Sequence, residues 1–356
     1  MKNIFWFFIA IMGLYSCYTV PPYTPYVSHR LPVGPGPEDI ALDTFKGRNR
    51  LIVSCSQRRA ELAPHAEIWG VDLEKDSAYI IPRIGEPETP FHFAPHGIDL
   101  NYVDGNMYLY VVNHRNIKGN ERQSILKYRW NGSALEWVEE LYYDFSGNYY
   151  RFAGDNSFET DTLFLGAKAP FTTANDVCVG KGEVLYWSND FSRNGRMGEA
   201  IWKMKSGWAG KFSNGKIQAV SDYKMAYPNG VLEVDSDLWV STVRQHRVFC
   251  FPKGDLSAKP VEVARIPGGD NLIDAGEEVL VTAHIKPFKF IGHARNAKKE
   301  SPSVVYAIHK KTHAVRVVYS DSGAHISTAS TALKHGSYLY ISQIFEGFIL
   351  KVKLDE

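Results

Sequence analysis

Cysteine is scarce in this chain, with four residues in 356, and no Cys-x-x-Cys pair occurs. That argues against a zinc knot or a disulfide framework as the source of the fold. Cys55, Cys178 and Cys250 read as small buried apolar residues, while Cys17 stands apart near the N-terminus. Net charge is also low: 40 Lys+Arg against 39 Asp+Glu leave +1. With no basic tract carrying interleaved aromatics, the chain offers nucleic acid no field to follow, and no nucleic-acid partner is expected. Helical periodicity of useful length is absent, and the one N-terminal apolar run is short for a spanning helix. What is present is core material, since hydrophobic residues make up 44% and aromatics 13% of the sequence, spread along its length as in a globular protein.

The first seventeen residues, MKNIFWFFIAIMGLYSC, combine one Lys, an apolar run from Ile4 to Leu14 and small Ser16 before Cys17. That pattern reads as an export signal. The segment LYSC is similar to a bacterial lipobox, in which the cysteine is diacylated, so residues 1–17 are expected to be a signal peptide and Cys17 the lipidation site of an exported protein anchored on the periplasmic or outer face of a membrane; ordinary secretion and an uncleaved membrane anchor stay open as alternatives. Residues 18–36 are Pro-rich and suit a tether with a closing strand. Residues 37–356 form the remaining domain.

Within that domain one pattern recurs six times. Strand-like segments rich in β-branched and aromatic residues occur as LIVSC from Leu51, LYVVNH from Leu109, LYWSND from Leu185, LWVSTV from Leu238, LVTAH from Leu280 and LYISQI from Leu339. Each is followed by a second candidate strand: IWGVDL, ILKYRW, IWKMKS, VFCFPK, VVYAIHK and ILKVKL. Each is preceded by an element with a polar start: GPEDIALD, APHGIDLN, TANDVCVG, YPNGVLEV, GGDNLIDA and HISTASTA. Six copies of a multi-strand unit predict an all-β fold, a six-bladed β-propeller, whose innermost strands line a central channel. A pair of β-sandwiches would not explain six copies.

The polar strand starts would then converge on the axis, bringing Glu38, Asp39, His96, Asn175, Asp176, Asn229, Asp270 and Asn271 together. Carboxylates cannot meet in a dry channel uncompensated, because a buried unpaired charge costs about several kcal/mol. A cation is therefore expected. The donors are almost all oxygen, which favours calcium over zinc. Glu38, Asn175, Asn229, Asp270 and Asn271 form the first expected ligand set. Asp39 and Asp176, with the backbone carbonyl of Ile98, form a second one deeper in the channel. A calcium ion with an open position can polarise an ester carbonyl, and His96 beside it can take a proton from water.

In order along the chain, GPEDIAL, PHGIDL, YVVNH, NDV, YWSND, YPNGV, GGDNLID and VLVTAH resemble the successive motifs of the paraoxonase and arylesterase family. These are six-bladed propellers with two calcium ions that hydrolyse lactones and aryl esters. The resemblance runs from about Pro37 to the C-terminus. It implies a catalytic calcium on Glu38, Asn175, Asn229, Asp270 and Asn271, and a structural calcium on Asp39, Asp176 and the Ile98 carbonyl. It further implies a His96/His114 dyad and His284 as a substrate-pocket wall. Two departures stand out. The family's disulfide joining the terminal segments has no counterpart, so ring closure must rest on strand pairing between the segment before Pro37 and the last blade. Residues 147–171 are longer than the family leads one to expect, and could form a lid, a recognition loop or a surface elaboration. Two other readings stay open: a sugar-lactone hydrolase of the gluconolactonase kind, and a calcium-stabilised propeller that binds a protein or glycan without catalysis.

Overall fold

Strands of this chain gather into six sheets about one axis. The structure, a computed structural model, describes residues 18–22, 26–87, 92–114, 123–143, 149–153, 158–161, 173–192, 197–214 and 216–354. The expected signal segment and Cys17 lie outside these residues. The first strand, β1 (Ser28–Pro32), is followed by blade 1, made of β2 (Pro37–Asp43), β3 (Arg50–Ser56), β4 (Ala66–Asp72) and β5 (Ser77–Ile81). Blade 2 contains β6 (Arg83–Ile84), β7 (Pro95–Val103), β8 (Asn106–Asn113), β9 (Ser124–Trp130), β10 (Leu135–Tyr143), β11 (Tyr149–Ala153) and β12 (Phe158–Asp161). Blade 3 is β13 (Ala174–Gly180), β14 (Val184–Asn189), β15 (Trp208–Ser213) and β16 (Lys216–Val220), and blade 4 is β17 (Pro228–Val234), β18 (Asp237–Thr242), β19 (Arg247–Phe251) and β20 (Val261–Ala264). Blade 5 is β21 (Gly269–Ala275), β22 (Glu278–Ala283), β23 (Ser303–His309) and β24 (Val315–Asp321). Blade 6 joins β25 (Ala329–His335), β26 (Tyr338–Gln343) and β27 (Phe348–Lys353) to β1.

The first strands of the blades form the ring: β2 touches β7, β7 touches β13, and so on through β17, β21 and β25 back to β2. Antiparallel pairing of Ser28–Pro32 with Phe348–Val352 fastens the two ends of the chain into one blade. Six apolar clusters fill the six gaps between blades. Ile52, Ile68, Ile98 and Leu109 pack between blades 1 and 2, for example, and Leu31, Ile40, Leu333 and Tyr340 between blades 6 and 1. The core is thus a ring of inter-sheet seams in which every blade is held by two neighbours. The three described cysteines are buried and unpaired.

One expectation changes. IWKMKS is no strand: it spans the end of a short helix, α1 (Met197–Ile201), and the turn after it, and the third strand of blade 3 is Trp208–Ser213. Lys203 sits at φ 53°, which interrupts an extended run, and Ile201, Trp202 and Met204 are all exposed, so the apparent alternation has no buried face. Of residues 147–171, the described stretches 149–153 and 158–161 pair as a hairpin on β10, at the far end of blade 2 from the axis. There they extend the blade outward.

Candidate functional site

A single local device positions the site. Every inner strand breaks register with its partner near its start: between Pro37 and Asp39, Pro95 and Ile98, Ala174 and Val177, Pro228 and Val231, Gly269 and Leu272, and Ala329 and Ala332. A bulge inserts an extra residue and re-aims side chains. The residues it frees here are Glu38, His96, Asn175 with Asp176, Asn229, Asp270 with Asn271, and Ser330 with Thr331. Small residues allow the close approach. A Cβ on Gly97 would stand 2.6 Å from the Asp176 Cα, and one on Gly230 would stand 2.6 Å from the Leu272 nitrogen. Hydroxyls on the second strands anchor the freed backbone, with Ser54, Ser188, Ser241 and Ser342 accepting from the amides of Asp39, Asp176, Gly230 and Thr331. Thr282 and Ser241 also donate to the carbonyls of Ser330 and Asp270.

Glu38, Asn175, Asn229, Asp270 and Asn271 are each between 2% and 4% exposed. Ser330 Oγ lies 2.9 Å from Glu38 Oε1 and 3.0 Å from Asp270 Oδ2. Asn271 Nδ2 donates to Thr331 Oγ1 at 2.7 Å and reaches Glu38 Oε1 at 3.5 Å, while Asn175 Nδ2 donates to Asp190 Oδ2 at 3.1 Å. These donations orient both carboxamides. Four oxygens are left buried with no hydrogen-bond partner: Glu38 Oε2, Asn175 Oδ1, Asn229 Oδ1 and Asn271 Oδ1. Asp190 Oδ1 shares this state. A buried unsatisfied acceptor costs about 1–3 kcal/mol, and net stabilities are only about 5–15 kcal/mol; a cation held among these oxygens would satisfy them together. Among the described residues no group of three or more His, Cys, Asp or Glu is arranged as a metal cluster. The donors here are two carboxylates and three carboxamides, a set suited to a hard ion.

The second expected set behaves differently. Asp39 Oδ1 accepts from Ile40 N and Thr331 Oγ1, and its Oδ2 accepts from Ile98 N at 2.7 Å. Asp176 accepts from Val177 N and, across the blade gap, from Val231 N, both at 2.8 Å. All four oxygens are satisfied, and Ile98 meets Asp39 through its amide instead of its carbonyl. These carboxylates fasten neighbouring inner strands, while each oxygen keeps a further lone pair that a second ion could use. Burial, with Glu38 acting on Asp39 and Asp39 acting on Asp176, holds both carboxyls well above their ordinary range.

His96 and His114 lie with ring centroids 4.2 Å apart. His96 Nδ1 stands 3.0 Å from Glu38 Oε2, yet neither atom makes a hydrogen bond of acceptable geometry. The Asn175 backbone beside the ring favours its protonated form, and Nδ1 faces the carboxylate cluster. His114 Nε2 lies 2.6 Å from the Ala174 oxygen. Burial, reinforced by Arg58, pushes His96 well below its ordinary value, and burial with His96 does the same to His114. Both shifts favour the neutral ring. His284 is more than a wall: its Nε2 lies 2.8 Å from Asp270 Oδ2, and its ring meets Phe290 of α2 (Pro287–Arg295) at 4.7 Å.

Sequence reasoning missed Ser330, Thr331, Asp190 and Arg58. The first two had a signal, since HISTASTA occupies the place where other blades carry their polar pair.

No protein-family model and no curated protein sequence matches this chain. Solved structures do resemble it. A streptogramin B lyase matches with TM-score 0.56 and 10% identity over 93% of this chain and 98% of its own. A catalytically inactive virginiamycin B lyase from Staphylococcus aureus, bound to quinupristin, matches with TM-score 0.54 and 10% identity over 93% and 100%. A protein assigned to the gluconolactonases matches with TM-score 0.53 and 14% identity over 94% and 96%. At such identities the likeness establishes the fold: this chain is a six-bladed β-propeller whose structural neighbours are propeller proteins.

Proposed function

We propose that the protein is a calcium-dependent hydrolase of lactones or aryl esters. The observation that carries this reading is the set of four buried, unpartnered oxygens on Glu38, Asn175, Asn229 and Asn271, from four different blades. Together with Asp270, these residues hold one calcium ion. Its contribution when bound is Lewis acidity toward an ester carbonyl. The residues do the rest. Neutral His96 holds its Nδ1 lone pair toward the cluster and takes the proton of a water whose oxygen adds to the carbonyl carbon. When the ester C–O bond breaks, that proton passes to the departing alcohol oxygen. His114, 4.2 Å away, fixes the orientation of the His96 ring. Asp270, held by His284 and Ser330, balances positive charge, and Asp39 and Asp176 keep the inner strands in place.

The paraoxonase-like order of motifs supports aryl esters and lactones as substrates. A sugar-lactone hydrolase is the second reading. It is favoured by the gluconolactonase-assigned neighbour. The N-terminal segment supports an exported protein anchored through Cys17; among the described residues no helix is long and apolar enough to cross a membrane. The deciding experiment assays the purified chain on δ-lactones, a sugar lactone and phenyl acetate, with calcium and with chelator. Hydrolysis lost on chelation and reduced about a hundredfold or more in His96→Gln is the expected outcome. A calcium-bound, folded protein inert toward every ester overturns the reading.

A further inference from the structure

Two consecutive arginines follow β3, and they are used in opposite ways. Arg59 is fully engaged. It donates to the carbonyls of His293 and Ala294 at 2.7 and 2.9 Å and to Glu346 Oε1 at 2.7 Å, and it lies 4.6 Å over the Phe345 ring. Through these contacts it clamps α2 against the last blade and fixes the loop on which both arginines sit. Among the described residues Arg58 makes one weak hydrogen bond, from Nη2 to the Pro95 oxygen at 3.5 Å, just ahead of His96. Its Nε is sealed from solvent and unpartnered, although the residue as a whole keeps some solvent contact. Among the described residues it forms no ion pair. Its electrostatic neighbours are Glu38, Tyr227 and Asp270.

Glu38 and Asp270 act on this guanidinium through space, and among the described residues neither is bonded to it directly. Five donors in a planar fork, desolvated at Nε and pre-positioned by a locked neighbour, match a carboxylate. A single arginine with two carboxylates close by balances one negative charge and not two, which disfavours a phosphate dianion. The wall beside it is aromatic. Tyr227 is held at φ 59°, a left-handed conformation that bulky residues rarely adopt, and its ring meets Phe191 at 4.8 Å.

Resting on the hydrolase reading, we propose that Arg58 determines specificity by receiving the carboxylate of an anionic substrate, an ester or lactone that carries a free carboxyl group away from its scissile carbonyl.

The test uses glutaric acid monoanilide, an amide mimic of such an ester, and its methyl ester. Binding to the full chain is measured by calorimetry with calcium and with chelator. The wild type is expected to bind the acid about tenfold or more tightly than the methyl ester in both conditions, a difference of about 1.4 kcal/mol. Arg58→Met is expected to abolish that preference and Arg58→Lys to retain part of it, with melting temperatures confirming that each variant is folded. Equal binding of acid and methyl ester by the wild type, or a preference that survives in Arg58→Met, overturns the proposal. In parallel, the ratio of kcat/KM for monophenyl glutarate over phenyl valerate is expected to fall about tenfold in Arg58→Met. If neither ester is hydrolysed the hydrolase reading fails, and the binding comparison still decides the role of Arg58.

Discussion

Ser330 has one proton and two carboxylates to serve. Its hydroxyl lies within 3.0 Å of both Glu38 and Asp270, so at any moment one of them faces an oxygen lone pair. A cation between them removes the conflict. Ser330→Ala is therefore expected to lower the stability of the calcium-free protein by about 1–3 kcal/mol and that of the calcium-saturated protein by less, as read from urea denaturation with chelator and with calcium. Equal losses in both states would contradict this. Glu38, Asn175, Asn229, Asp270 and Asn271 were legible in the sequence because a carboxylate or carboxamide at a strand start has no ordinary role in a core. Ser330 and Thr331 were not, since hydroxyl residues are at home in any strand, and Arg58 was hidden because only the fold brings its loop beside His96.

Elements are held to one another through these same strand starts. Asp176 accepts from Val231 of the next blade, and Asp39 does the same with Ile98. Asp176→Ala is expected to cost about 1–3 kcal/mol to the same extent with and without calcium, as measured by denaturation; a loss confined to the calcium-bound protein would point to a second ion. The turn before β21 depends on a histidine. Gly268 N donates to His246 Nδ1 at 3.0 Å, and burial with Lys203, Arg244 and Arg247 lowers the His246 pKa to about 4. The folded state thus binds this proton more weakly than the unfolded chain, whose histidine titrates near 6.5. The stabilisation is complete above that value and is lost as pH falls toward 4. His246→Asn, which keeps an acceptor, is expected to flatten the decline in melting temperature across that window relative to wild type; an unchanged decline would remove His246 from the account. Five of the six strand pairs were legible because apolar alternation repeats. IWKMKS misled because alternation alone does not reveal whether either face is covered.

At the scale of the molecule, six sheets close into a ring with no covalent clasp among the described residues, the pairing of β1 with β27 taking that place. Closure matters for the site because its donors come from separate blades, so no blade alone can assemble them. The propeller itself was readable from six repeats, whereas the bulges that aim the donors were not, as a register shift leaves no mark on composition. The central claim is that donors from separate blades share one cation, and calorimetric titration of calcium into chelator-treated protein, wild type and Asn229→Ala, tests it most directly. The account expects calcium uptake by the wild type and an affinity weakened about tenfold or more, about 1.4 kcal/mol, in the variant. No calcium uptake by the wild type, or the same affinity in a folded Asn229→Ala protein, would contradict it.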